Sequence, residues 1–143
     1  MLPGSRVSAV RVRALILCDD VRFEVGGTMT LVGVFADRIV VPPGDGELVV
    51  PRLAIYSVVA GLTGATVLSW QHQLSEENRD PGHPIAAGNE VHDVDADEHR
   101  LVNIVSPLVL PGPGRYRLVV GFQTLRARCS LEHHLVIERA SAE

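Results

Sequence analysis

The densest run of chemically capable side chains is His92-Asp93-Val94-Asp95-Ala96-Asp97-Glu98-His99. Aspartates at alternate positions are the donors with which the first half of a calcium loop holds a hard cation. The run then departs from that pattern. Glu98 stands where the loop needs a turn-forming glycine, and Ile104 takes the place of the closing bidentate glutamate. For zinc, His92 and His99 are separated by more residues than the usual histidine pairs, and no cysteine lies near them. His92, Asp93, Asp95, Asp97 and His99 are therefore candidates for a loose divalent-metal site, and a solvated acidic loop accounts for the same residues without a ligand.

Other arrangements point away from catalysis. Cys18 precedes Asp19-Asp20, and flanking carboxylates raise a thiol's pKa where a nucleophile needs it lowered. The two carboxylates fit a turn better, paired with Arg22 or Arg38. His133 and His134 are adjacent, so on a strand they point to opposite faces. One of them is expected to meet His72 in a buried, hydrogen-bonded pair, with a pH-sensitive pair as the sharper alternative. No phosphate-binding glycine loop or serine elbow occurs. The expected site list is accordingly short: no catalytic residue, no cofactor, and the five metal candidates.

These residues must be held by strands. Valine occurs 22 times against 6 isoleucines, among 13 glycines and 9 prolines, and β-branched residues broken by turn formers make short strands. Residues 10–18 alternate, placing Val10, Val12, Ala14, Ile16 and Cys18 on one face. Gly26-Gly27 reads as a hairpin connection whose second arm puts Met29, Leu31 and Phe35 on one face, with Gly33 marking a bulge. Trp70 in mid-strand, flanked by the polar Ser69 and Gln71, resembles the core tryptophan of an immunoglobulin-type sandwich. Tyr116 after Pro111-Gly-Pro-Gly114 resembles a tyrosine corner. The expected fold is an all-β, immunoglobulin-like antiparallel sandwich of seven to nine strands, with a small closed β-barrel as the alternative. Its core is expected to hold Ile16, Leu31, Phe35, Ile55, Leu68, Trp70, Ile104, Tyr116, Leu118, Val120, Phe122, Leu131 and Ile137.

Residues 10–139 form a single domain in this reading, between flexible tails at 1–9 and 140–143. Residues 75–99 stand apart, carrying eight of the 17 acidic residues and one arginine, Arg79. They are expected to form an acidic loop around one short strand at 85–87. The start lacks the pattern of a signal peptide, so a cytoplasmic location is expected, with Cys18 and Cys129 as free, buried thiols; a bridge between the first and last strands is the alternative that their spacing leaves open.

The run Arg13-Ala-Leu-Ile-Leu-Cys-Asp-Asp-Val-Arg22, followed by Gly26-Gly-Thr-Met-Thr-Leu-Val-Gly-Val-Phe35, resembles the opening of a family of small uncharacterised bacterial proteins. These share a Cys-Asp-x-Val start and a Gly-Val-Phe hairpin arm. The resemblance covers roughly residues 12–41, implies a bacterial cytoplasmic origin, and supplies no catalytic residue.

Composition narrows the function. A formal net charge of −4 argues against a nucleic-acid binder. The six aromatic residues fall mostly on core faces, leaving no stacking platform for sugars or bases. No apolar run is long enough to form a membrane helix. The expected function is a non-enzymatic protein-interaction or assembly module. Its partner is another protein or a second copy, met through a sheet edge or the acidic loop. The alternative is a small-ligand or divalent-metal-responsive binding protein using residues 92–99.

Overall fold

The structure is a computed structural model that describes residues 10–78 and 83–141. Eleven strands and no helix are found among them: β1 (Arg11–Phe23), β2 (Met29–Phe35), β3 (Arg38–Val41), β4 (Leu48–Val50), β5 (Leu53–Ala60), β6 (Val67–Glu76), β7 (Ala86–Asp93), β8 (His99–Val105), β9 (Leu108–Leu110), β10 (Gly114–Gln123) and β11 (Arg128–Arg139). One sheet runs β2-β1-β5-β8 and a second runs β3-β11-β10-β6-β7, while β4 and β9 form a two-stranded ribbon. All pairings are antiparallel except that of β3 with β11. The protein is an all-β sandwich. Three of the eleven strands, β3, β4 and β9, are pieces of only three or four residues, which takes the count past the expected seven to nine.

The large sheet is built on strict period-two patterning. Leu68, Trp70 and Leu74 on β6 and Tyr116, Leu118, Val120 and Phe122 on β10 are all buried, while Gln71, Gln73 and Gln123 face water. They pack against Leu17, Leu53, Ile55, Val59 and Leu101 of the small sheet, and the ribbon adds Leu48, Val50, Leu108 and Leu110 to the same core. Trp70 lies over Phe122 with ring centroids 6.4 Å apart. Tyr116 donates its hydroxyl proton to the carbonyl of Gly112 at 2.5 Å, which completes the tyrosine corner. At the first hairpin, Glu24 N–H bonds to Thr28 O, and both Gly26 and Gly27 take positive φ, as the reversal requires. The connection therefore spans three residues.

Several expectations are corrected. The segment 75–99 is not a loop with one short strand. β6 continues to Glu76, and β7 pairs with β6 over eight positions from Val67↔Asp93 to Leu74↔Ala86. Within this acidic stretch, Ala86, Gly88 and Val91 leave enough uncharged positions for an edge strand. Arg79, Asp80, Pro81 and Gly82 lie outside the described residues, as do the tails 1–9 and 142–143. β11 ends at Arg139, and Ala140 N–H then bonds to Val41 O at 2.8 Å. Asp20 pairs with Arg52 at 3.0 Å, and Arg38 with Glu138 at 2.9 Å, in place of the expected Asp–Arg partners. Leu131 occupies the inward row of β11 but is 40% exposed, where β11 is a sheet edge beyond its pairing with β3.

The small sheet departs furthest from the expected phases. A register shift between Val12 and Ala14 reverses β1, so Leu15 and Leu17 face the core. Ile16 is only half-buried, and Cys18 belongs to a different cluster. In β2, Phe35 packs on the main core, but Met29 and Leu31 join Cys18's cluster; Gly33, at φ +66°, lies between the two groups. In β8 the core residue is Leu101, and Ile104 is 45% exposed. Apolar residues of both parities occur along these strands, and a bulge decides which set faces inward.

Candidate functional site

The displaced residues gather on one surface. Register places Cys18 beside Ala54 and Ala54 beside Ile104, then Ile16 beside Tyr56 and Tyr56 beside Val102. Val34 of β2 stands opposite Cys18. These residues alternate with the core-facing Leu17, Ile55, Leu101 and Val105, so they lie on the outward face of the small sheet. A second apolar cluster forms there, with Cys18, Val21 and Ala54 buried and Met29, Leu31, Tyr56 and Val102 packed partly exposed against them. Ile104 and Val34 extend it into solvent at 45% and 59% exposure. Antiparallel sheets with one solvated face put polar residues there; this one is apolar on both sides.

Charges stand at the ends of this face. Arg52 pairs with Asp20 at the entry to β5, and Arg13 pairs with Glu98 at 2.8 Å near the start of β8. Arg100 follows on β8, outward and exposed, opposite Val58. The centre is neutral. Burial raises the Cys18 pKa, the nearby Asp20 and Asp19 charges raise it further, and its thiol hydrogen-bonds to the carbonyl of Asp20 at 3.4 Å. Such a thiol is protonated and poorly nucleophilic. Cys129, on β11 of the other sheet, is likewise raised by burial, and both cysteines are free.

The five metal candidates are dispersed. His92 and His99 bring their rings to 5.4 Å, edge to face. His92, however, engages Glu90 at 2.8 Å, and the other oxygen of Glu90 accepts from Asn103. Asp97 accepts the Thr63 hydroxyl at 2.6 Å, a bond that holds its carboxyl below the ordinary value. Asp93 ends β7 and Asp95 lies exposed in the connection that follows. Among the described residues, no three histidine, cysteine or acidic side chains come close enough to share a cation. The reason is topological, because β7 and β8 belong to different sheets and the run 92–99 is stretched across the gap between them.

The expected histidine pair is also absent. β10 separates β6 from β11, so His72 and His133 are two strands apart. His72 Nδ1 and His133 Nε2 are buried without a partner. The His72 ring instead packs on Trp70 at 5.3 Å and over Gly88. Exposed His134 bonds to Glu77 at 2.9 Å. Among the described residues of the acidic stretch, Glu77, Glu90, Asp97 and Glu98 are engaged within the fold, while Asp93 and Asp95 are exposed.

A shallow groove of about 810 Å³ crosses the solvent face of the large sheet, where Ser69, Gln71, Asn89, Gln123 and Ser130 surround Gly121. Arg128, Glu90 and Cys129 also line it, so the groove combines amides and hydroxyls, which hydrogen-bond to water or a polar ligand, with charges of both signs. The outward apolar cluster was the surface missed in the sequence. Its signal was present in Leu53–Ala60 and Leu101–Val105, which carry apolar residues at both parities and no charge, the pattern of strands covered on two faces. No helix of the described residues is long and apolar enough to cross a membrane. Compared with known proteins, the chain matches no protein-family model and no curated protein.

Proposed function

We propose that this protein is a non-enzymatic interaction module that docks through the outward face of its four-stranded sheet. The observation that carries this reading is the second apolar cluster on the outward face, continued into solvent by Val34 and Ile104 at 59% and 45% exposure. Contiguous apolar surface on a small domain marks a contact surface. Tyr56 at its centre supplies a half-buried aromatic ring of the kind that anchors interfaces. This reading puts the contact on the sheet face, where the sequence alone suggested a sheet edge or the acidic loop. Two unbridged cysteines, one fully buried, fit a reducing compartment such as the bacterial cytoplasm.

The test is surface footprinting in a native extract. Tyr56, Val102 and Ile104 are expected to be labelled by a surface-modifying reagent in the purified, dilute protein and protected in the extract. The groove residues Gln71 and Gln123 should be labelled equally in both. Equal labelling of the sheet face in both settings would remove this face as the working surface.

A further inference from the structure

We infer that β7 is a strand latched over His72 that opens on acidification, moving away from β6 between Ile85 and Val94 when His72 takes up a proton. His72 lies on the inward row of β6, where register sets it between Gly88 of β7 and Val120 of β10. The side chain is 4% exposed, and its Nδ1 is buried without a hydrogen-bond partner. The ring lies against Gly88, so close that a Cβ there would stand 2.6 Å from Cε1. A neutral ring meets this packing by leaving Nδ1 unprotonated. An imidazolium carries an N–H on both nitrogens and a charge, and each N–H then needs water or an acceptor.

The surroundings supply none. Of the charged groups among the described residues, Glu90 of β7 acts on this ring and favours its protonated form. Both oxygens of Glu90 are already engaged, by His92 of its own strand at 2.8 Å and by Asn103 of β8 at 3.1 Å. β10 presents Val120, and the inward residues flanking His72 on β6 are Trp70 and Leu74. Trp70 Nε1 is itself buried without a partner. Burial therefore outweighs Glu90 and holds the ring neutral.

A proton on His72 requires that a neighbouring strand move, and the two neighbours are unequal. β10 is the middle strand of the large sheet, with Tyr116, Leu118, Val120 and Phe122 all buried. β7 is an edge strand in which no residue is buried, and Ala86 alone leans on the core. Beyond its ladder with β6, it reaches β8 through the Glu90–Asn103 bond and the His92–His99 ring contact. Backbone bonds from Ile85 to Leu74 and from Val94 to Thr66 pin its two ends, so the span between them is the unit that opens. Opening admits water to His72 and frees the backbone edge of β6.

Hydrogen exchange of the full chain at pH 7.5 and pH 5.5, corrected for the intrinsic rate at each pH, tests this. In the open form His72 titrates near its ordinary value of about 6.5. One proton coupled to opening then raises the opening equilibrium about tenfold between those two pH values. That increase is expected across 86–93, with the protection between β10 and β11 unchanged. Emission from Trp70, the sole tryptophan, should shift to the red over the same range. His72→Gln should remove the pH dependence of β7 exchange, whereas His92→Gln, which leaves the buried ring in place, should retain it. Equal exchange of β7 at both pH values in the wild-type chain would overturn the latch. So would equal acceleration in every strand, which is whole-chain unfolding, or a pH dependence of β7 that persists in His72→Gln, which assigns the proton to another group.

Discussion

Among single residues, the imidazoles of buried His72 and half-buried His99 have the clearest consequence. Burial lowers the pKa of His72, against a smaller opposing pull from Glu90. Burial also lowers the pKa of His99, the neighbouring His92 lowers it further, and Asp95 opposes. Unfolding lets both take up protons near the ordinary histidine value of about 6.5, whereas in the fold they do so only at lower pH. A group depressed in this way leaves stability intact above the unfolded value and removes it as pH falls through the folded one. The urea midpoint is therefore expected to be lower at pH 5.5 than at pH 7.5, and His72→Gln with His99→Gln should flatten the difference. A wild-type midpoint that does not fall on acidification would show that both rings protonate freely in the fold. None of this was legible from the sequence, which suggested a bonded partner for His72. That ring faces Trp70 and Gly88 because β10 intervenes before His133.

The element that most needs its exact residues is β7. Gly88 lies opposite His72, and a Cβ there would stand 2.6 Å from His72 Cε1, closer than atoms can approach. Gly88→Ala should therefore cost about 1–3 kcal/mol, the usual penalty for overpacking a filled site. His72→Ala in the same chain should return part of that loss, because the clash is with the imidazole and contacting residues are not additive. Chemical denaturation of the two single variants and the double variant checks this. Purely additive losses would mean that β7 bends away from β6. The central strands were legible from their patterning. Tyr116, Leu118, Val120 and Phe122 alternate with polar or small neighbours over ten residues, and the large sheet follows that phase. β7 was hidden because its charges, Glu90 and Asp93, suggested solvent, when Glu90 in fact bonds to His92 and Asn103.

For the whole molecule, the governing feature is that one sheet is apolar on both sides. A sequence with alternating polarity states its own phase, but Leu-Val-Asn-Ile-Val at 101–105 does not, and only the packed fold decides which set is core. Leu101 is 1% exposed and Ile104 is 45% exposed, although the two are three residues apart and chemically alike. Leu101→Glu would bury a carboxylate with no partner among Leu53, Ile55 and Val59, and should cost more than about 3 kcal/mol or prevent folding. Ile104→Glu puts its charge on the outward face and should change stability by less than about 1 kcal/mol, the usual bound for surface changes. It should also reduce binding of a dye that fluoresces on apolar surface. Urea unfolding of the dilute protein, followed by the dye titration, separates the two faces. Equal losses from both substitutions would place Ile104 in the core and leave the sheet without a free apolar side. A small loss at 104 beside a large one at 101 is what a domain with a second, outward-facing apolar surface must show.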